Sequence, residues 1–283
     1  MDNKIQCSYF PGDKWLYYQV YIGLQNANKF LCQFLYPRIF TLSKEKLIKR
    51  WFFIRYSDPE HHLRIRFELL DLMCLGKVIQ VMSECFNQPF CREAIWNIQI
   101  NTYKPEIERY GRGTMELAEE VFFFDSEMIV SILKNPKFKT EDFEWKSGIY
   151  MTLLYLNLFY PKFDAKLDFI QRVRDAYANE FNLNKDSRIR LNEKYRSLRS
   201  EIENCVDNFI PIDGKSSDEP HSSLKEKLKK YQSIITDSDR ESVLTSLIHM
   251  SLNRLFSNKN REQEFVCYDF ILRACKSKLA RGS

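Results

Sequence analysis

Glycine and proline are scarce in this chain of 283 residues, eight and nine respectively, too few for the dense tight turns of an all-β sandwich or barrel. The eight cysteines never fall into a Cys-x-x-Cys pair and sit mostly among apolar neighbours, so they read as buried free thiols. Histidine is rarer still. Four residues, two of them adjacent, supply no zinc-ligand spacing, and no metal or other cofactor is expected. A net charge of only +5, with both signs interspersed, gives no case for nucleic-acid binding as the main activity. No apolar run approaches the length of a membrane span, and the first residues lack a charged-then-apolar signal pattern. The expectation is a cytoplasmic protein that binds no membrane.

Aromatic, aliphatic and charged helix-forming residues fill the space those absences leave, and they specify an α+β protein. A small, mainly antiparallel sheet is expected in the first 105 or so residues, packed by many helices, with a helix-rich C-terminal part. Strand-forming residues run from Trp15 to Tyr21, closed by Gly23, and from Trp51 to Tyr56. Ser57-Asp58-Pro59 is turn chemistry. Trp96 to Tyr103 alternates as a further strand, with Trp96, Ile98 and Ile100 facing one way.

Helical spacing covers Asn26 to about Phe40, where Pro37 should bend or end the segment, and Leu69 to about Phe90, interrupted by Gly76. Gly111 and Gly113 give backbone freedom before a helix from Thr114, and Asp125-Ser126 is expected to begin a separate short one. From Glu141 onward the rhythm is helical. Tyr150 to Phe159 is apolar nearly all round and should be deeply buried. The polar, Pro-, Gly- and Ser-containing stretch of about 210–223 reads as a mobile loop, with Ser222 or Ser223 capping the helix after it.

The chemically suggestive stretch is His62-Leu-Arg-Ile-Arg-Phe67. Its period of two puts Leu63, Ile65 and Phe67 on one face and His62, Arg64 and Arg66 on the other. Two guanidiniums two residues apart repel one another, whereas a carboxylate or phosphate between them would be held by charge-assisted bonds. An anion site and a solvated or ion-paired face both satisfy the spacing.

Taken in order, Trp15…Tyr21, Trp-Phe-Phe-Ile-Arg-Tyr56, His-Leu-Arg-Ile-Arg-Phe67, Thr102-Tyr-x-Pro-Glu-Ile-Glu-Arg-Tyr-Gly111, Met115-Glu-Leu-Ala-Glu-Glu-Val-Phe122 and Ser246-Leu-Ile-His-Met-x-x-Asn-Arg254 resemble one family over nearly the whole chain. It is the thiopeptide-type bacteriocin biosynthesis domain, also the C-terminal elimination domain of class I lantibiotic dehydratases. The resemblance implies a single elimination-type domain over 1–283 that expels glutamate from glutamylated Ser or Thr of a precursor peptide, leaving dehydroalanine or dehydrobutyrine. It implies as partners that precursor, leader and core, and a separate glutamylating dehydratase subunit that uses the charged tRNA, so that direct tRNA binding by this chain is not expected; a cyclase is a further candidate partner. The family's elimination residues fall at Arg64, Arg66, Arg109 and His249, and His62, Tyr103, Tyr110 and Asn253 are expected to bind or orient substrate.

Arg112 stands where a second glycine often follows in the family, and Ser251 where many members carry another histidine. On its own, His249 among Leu247, Ile248 and Met250 reads as a core histidine; the resemblance makes it the base or the proton donor. Two alternatives stay open. One is a pyridine synthase that joins two dehydroalanines by [4+2] cycloaddition. The other is a non-catalytic subunit that binds leader peptide as an added strand near Trp15 to Tyr21.

Overall fold

The computed structural model describes residues 6–208 and 219–281, which form two compact units, Met1–Lys134 and Asn135–Ser283. The first contains the sheet. Strands β1 (Trp15–Ile22), β2 (Ile48–Tyr56), β3 (His62–Leu69) and β4 (Ile95–Asn101) pair antiparallel in the order β2-β3-β1-β4. Every residue of β1 is buried, as a strand paired on both sides and covered on both faces must be. This corrects the expectation of an open edge at Trp15–Tyr21. Strand order depends on contacts remote in sequence, so alternation within one segment cannot reveal which strand is outermost.

Apolar side chains of α1 (Leu24–Lys29) and a π-helical stretch, Phe30–Leu35, lead directly into α2 (Tyr36–Lys44). Pro37 therefore does not end the segment. It is the second residue of α2, directly after the π-helical stretch, and the helical path continues through it. Gly76 likewise sits inside α3 (Leu75–Phe86) without breaking it, because Val78, Val81, Met82 and Cys85 anchor that helix in the core. After α4 (Pro89–Ala94) and the short α5 (Ile107–Tyr110), α6 (Met115–Lys134) runs unbroken. No separate helix starts at Asp125. The hydroxyl of Ser126 donates to the carbonyl of Phe122 (2.7 Å) and accepts from the backbone N–H of Phe53 in β2 (3.3 Å).

The second unit consists of α7 (Glu141–Phe159), α8 (Phe163–Glu180), α9 (Lys185–Asn208), α10 (Glu219–Ile234), α11 (Asp237–Leu255) and α12 (Asn260–Arg281). Its central α7 packs against α9, α10, α11 and α12, and Tyr150, Leu153, Leu154, Leu156 and Phe159 are buried as their all-round apolar pattern requires. Of the expected loop, 210–218 falls outside the described residues. Residues 219–223 are helical, so Ser222 and Ser223 lie within α10 and do not cap it. No described helix is long and apolar enough to cross a membrane.

Gly148 marks the closest approach within this unit. A Cβ there would stand 2.6 Å from Cζ of Phe256 and 2.8 Å from Sγ of Cys267, both side chains buried. Gly148→Ala should therefore lower the melting temperature although alanine favours helix, with overpacking costing about 1–3 kcal/mol. Thermal unfolding followed by circular dichroism checks the sign.

All eight cysteines are free thiols. Only Cys85, Cys91, Cys267 and Cys275 are fully buried; Cys7 is exposed and the other three are partly covered, so the expectation of buried thiols holds for half of them. Apolar neighbours in sequence do not ensure cover when the residue lies on an outward helix face.

Candidate active site

Register places the polar residues of three strands in rows on one face of the sheet. Arg66 pairs with Phe52 of β2 and Tyr17 of β1, Arg64 with Ile54 and Gln19, and His62 with Tyr56 and Tyr21. Cross-strand partners share a face, so the cationic side of β3 lies among aromatic and amide groups. It is not a solvated surface.

Arg66 is only 8 % exposed. Its guanidinium lies 4.6 Å from the ring of Tyr17, 4.9 Å from Tyr103 and 5.3 Å from Phe52. Its Nε is buried without a hydrogen-bond partner, and no described carboxylate forms an ion pair with it. Burial pushes its pKa down and the charge of Arg64 adds to that, while the Tyr103 and Tyr17 hydroxyls and the Glu106 carboxylate act the other way. Arg50 provides the contrast. It is more deeply buried, yet Glu68 and Glu116 both accept from its guanidinium. Arg50 is thus a neutralised structural charge, whereas Arg66 holds its charge against aromatic faces and can still accept an anion.

Arg64 stacks over the ring of Tyr56 at 3.5 Å, and its Nε donates to Nε2 of His62 at 3.1 Å. Nδ1–H of His62 donates in turn to the carbonyl of Glu60 at 2.8 Å. That pair of bonds fixes a neutral imidazole, and burial, with Arg64 beside it, lowers the His62 pKa accordingly. His62 orients Arg64 and is not a second cation.

Tyr103 is buried and donates to Oε1 of Glu119 in α6 at 2.8 Å. Burial raises the Glu119 pKa to about 7, against the opposing effects of that hydrogen bond and of Arg50. Tyr103 therefore joins a carboxyl that titrates near neutrality to the face of Arg66. Arg109 takes a different position from the strand arginines. It is about half exposed and bonded to Glu106 at 2.9 Å, the carboxylate that also acts on Arg66. Tyr110 is buried edge-on to Phe122, their ring centroids 5.0 Å apart.

In the second unit, Nδ1 of His249 on α11 lies 2.7 Å from Oε2 of Glu264 on α12, with His249 28 % exposed and Glu264 fully buried. A carboxylate on Nδ1 holds that nitrogen protonated and leaves Nε2 as the ring's acceptor. Asn253 follows one turn later on the same helix face, and its carbonyl accepts from Asn260 at 3.1 Å. Arg64, Arg66 and Arg109 thus belong to the first unit and His249 and Asn253 to the second.

Four participants are not apparent from sequence: Tyr17, Phe52, Glu119 and Glu264. Tyr17 and Phe52 lie in strands that β-forming residues announce, and only the register shows that they flank Arg66. Glu119 and Glu264 sit in helices whose periodicity marks them as inward-facing, and an inward carboxylate is a readable signal once the helix phase is known.

The sequence profile described as "Lantibiotic biosynthesis dehydratase C-term" matches residues 15–275. The nisin biosynthesis protein NisB of Lactococcus lactis subsp. lactis is 28% identical over 269 residues, 91% of this chain and 25% of NisB. The chain spans about a quarter of the length of the curated relatives it matches. Among solved structures, the tRNA-dependent lantibiotic dehydratase MibB from Microbispora sp. 107891 superposes with a TM-score of 0.71 at 21% identity, covering 95% of this chain and 28% of MibB. The pyridine synthase TbtD from thiomuracin biosynthesis gives 0.60 at 11% identity, covering 94% of this chain and 98% of TbtD. At these identities the two structures speak to fold alone.

Proposed function

The chain belongs to the lantibiotic biosynthesis dehydratase C-terminal family, and from that premise we propose that it expels glutamate from glutamylated Ser or Thr side chains of a precursor peptide. The residues matched supply no glutamylating chemistry in this reading, and the glutamyl ester is taken as the substrate. In the reaction a base removes the α-proton of the modified residue, a Cα=Cβ double bond forms, and the Cβ–O bond breaks. Glutamate departs as a carboxylate, leaving dehydroalanine or dehydrobutyrine.

The observation that carries this reading is Arg66, a buried guanidinium with no carboxylate in ion-pair contact among the described residues and with its Nε unpartnered. A site that must bind a glutamyl carboxylate and stabilise a leaving carboxylate has a use for such a charge; a purely structural arginine does not. Arg64 and Arg109 add positive charge to the cradle. His249, its Nδ1–H held by Glu264, presents Nε2 as the base for the α-proton. Tyr103 and His62 orient the two strand arginines, and Tyr110 and Asn253 support substrate.

Mass spectrometry of a chemically glutamylated precursor tests this directly. Incubation with the protein alone should remove each glutamate as glutamic acid and leave the peptide one water lighter per site than before glutamylation. Unchanged mass would sink the proposal. His249→Ala should slow the loss by about 10²–10⁴-fold, the range of general acid–base catalysis, as read from initial rates. The same assay separates the two competing readings, since neither a cycloaddition joining two dehydroalanines nor a scaffold that only binds leader peptide releases glutamate.

A further inference from the structure

The sheet has two outer strands, and they differ. Helix α6 lies along β2, through Ser126 on the backbone of Phe53 and Glu116 on Arg50. Among the described residues, no strand pairs with the outer side of β4; the Tyr9–Tyr103 bridge falls beyond its end. Natural edges are blunted by lysine, proline or a bulge. In β4 the sequence Ile-Trp-Asn-Ile-Gln-Ile-Asn has no charge and no proline, and its register shift falls at the start, leaving Asn97 to Asn101 regular.

The faces of β4 are chemically distinct, and each continues something already described. Asn97, Gln99 and Asn101 pair with Tyr21, Gln19 and Tyr17, and through them lie in the rows of His62, Arg64 and Arg66. Ile98 and Ile100 pair with Val20 and Tyr18 on the opposite face. There, together with Ile79 and Phe86 of α3, they line an open groove of about 580 Å³ whose wall also includes Ser83, Asn87, Arg92 and Asn97. Trp96, Ile98 and Ile100 remain 55%, 37% and 42% exposed.

We propose that this edge receives an extended stretch of the peptide substrate as a fifth strand, an inference that rests on the elimination reading for the identity of that peptide. An extended peptide alternates its side chains with the period of β4. In the register that sends a modified Ser or Thr to the amide face, its glutamyl chain lies beside Asn97, Gln99 and Asn101, on the side of the sheet that carries Arg64 and Arg66. The residues immediately before and after it fall into the groove, against Trp96, Ile98 and Ile100. The edge therefore selects a substrate class: unfolded peptide in which an acylated Ser or Thr is flanked on both sides by apolar residues. A carboxylate on the acyl chain complements the arginines, and the neutral edge repels neither sign of charge along the peptide backbone.

Hydrogen–deuterium exchange on the full chain tests this with a short synthetic peptide carrying glutamate on 2,3-diaminopropionate, an amide in place of the labile ester, between two leucines. Addition of the peptide should slow exchange across residues 95–101, at unchanged protein concentration. Replacing both leucines by aspartate, or introducing Ile98→Asp into the half-exposed edge, should weaken binding at least tenfold. Protection confined to another segment, absence of binding, or equal affinity for the leucine and aspartate peptides would overturn the proposal. So would protection of 95–101 that precedes peptide and grows with protein concentration, because a second copy of the chain would then occupy the edge. If 95–101 becomes protected while a glutamylated ester peptide keeps its mass, the docking stands and the elimination reading falls.

Discussion

Arg66→Met should reduce glutamate release by about 10²–10³-fold or more, the scale on which removal of one electrostatic donor acts, while leaving the chain no easier to unfold. The two halves of this outcome come from one observation. A buried guanidinium with no carboxylate partner among the described residues is desolvated at a cost that the rings of Tyr17, Phe52 and Tyr103 offset only in part. Methionine keeps the length, fills the same aromatic box and makes sulfur–ring contacts, without carrying a charge out of water. Arg50→Met is the control. It takes from the buried carboxylate of Glu68 its one buried partner and leaves only the half-exposed ammonium groups of Lys14 at 3.5 Å and Lys49 at 4.0 Å, so the loss should approach the order of 3–5 kcal/mol of a broken buried pair. Urea midpoints and glutamate release measured on both variants separate the roles. A pair of variants that unfold equally early, with release retained in Arg66→Met, would make Arg66 a structural residue and remove the main support for an anion site.

The alternation in His62–Phe67 makes the two faces of β3 legible in the sequence itself, and all four strands lie where β-forming residues accumulate. What the alternation cannot convey is that the cationic face is covered. Burial of Arg66 depends on Phe52, Tyr17 and Tyr103, which reach it through strand order and register, and neither is written in any one segment. For the same reason β1 resembles an open edge in sequence, whereas the exposed outer strand is β4. Helix breakers mislead through a related gap. Gly76 and Pro37 have local costs of one to a few kcal/mol at most, and packing of α3 and the continuous α1–α2 segment outweighs them. Of the proposed site, the family resemblance names the arginines and His249, but Glu264, the carboxylate on Nδ1 of His249, lies fifteen residues away on the next helix.

Glu119→Gln should remove a pH dependence of stability that the wild-type chain carries between about pH 4.5 and 7. Folding buries Glu119 and raises its pKa from an ordinary 4.5 to about 7. In the unfolded chain the carboxyl loses its proton near 4.5, so between those values the folded state holds more protons than the unfolded one. Stability is then full below the lower value, falls as pH rises through the window, and levels off above the upper one. A shift of this size corresponds to roughly 3 kcal/mol. Glutamine is nearly isosteric, still accepts the hydrogen bond from Tyr103, and does not titrate. Wild type and variant should therefore unfold at similar urea concentrations near pH 5 and diverge near pH 8, where the variant is the more stable. Because Tyr103 links Glu119 to the ring face of Arg66, the variant should also keep Tyr103 anchored at high pH through a neutral acceptor. A stability difference of equal size at both pH values would show that Glu119 does not titrate in this window, and the substitution would then report on packing alone.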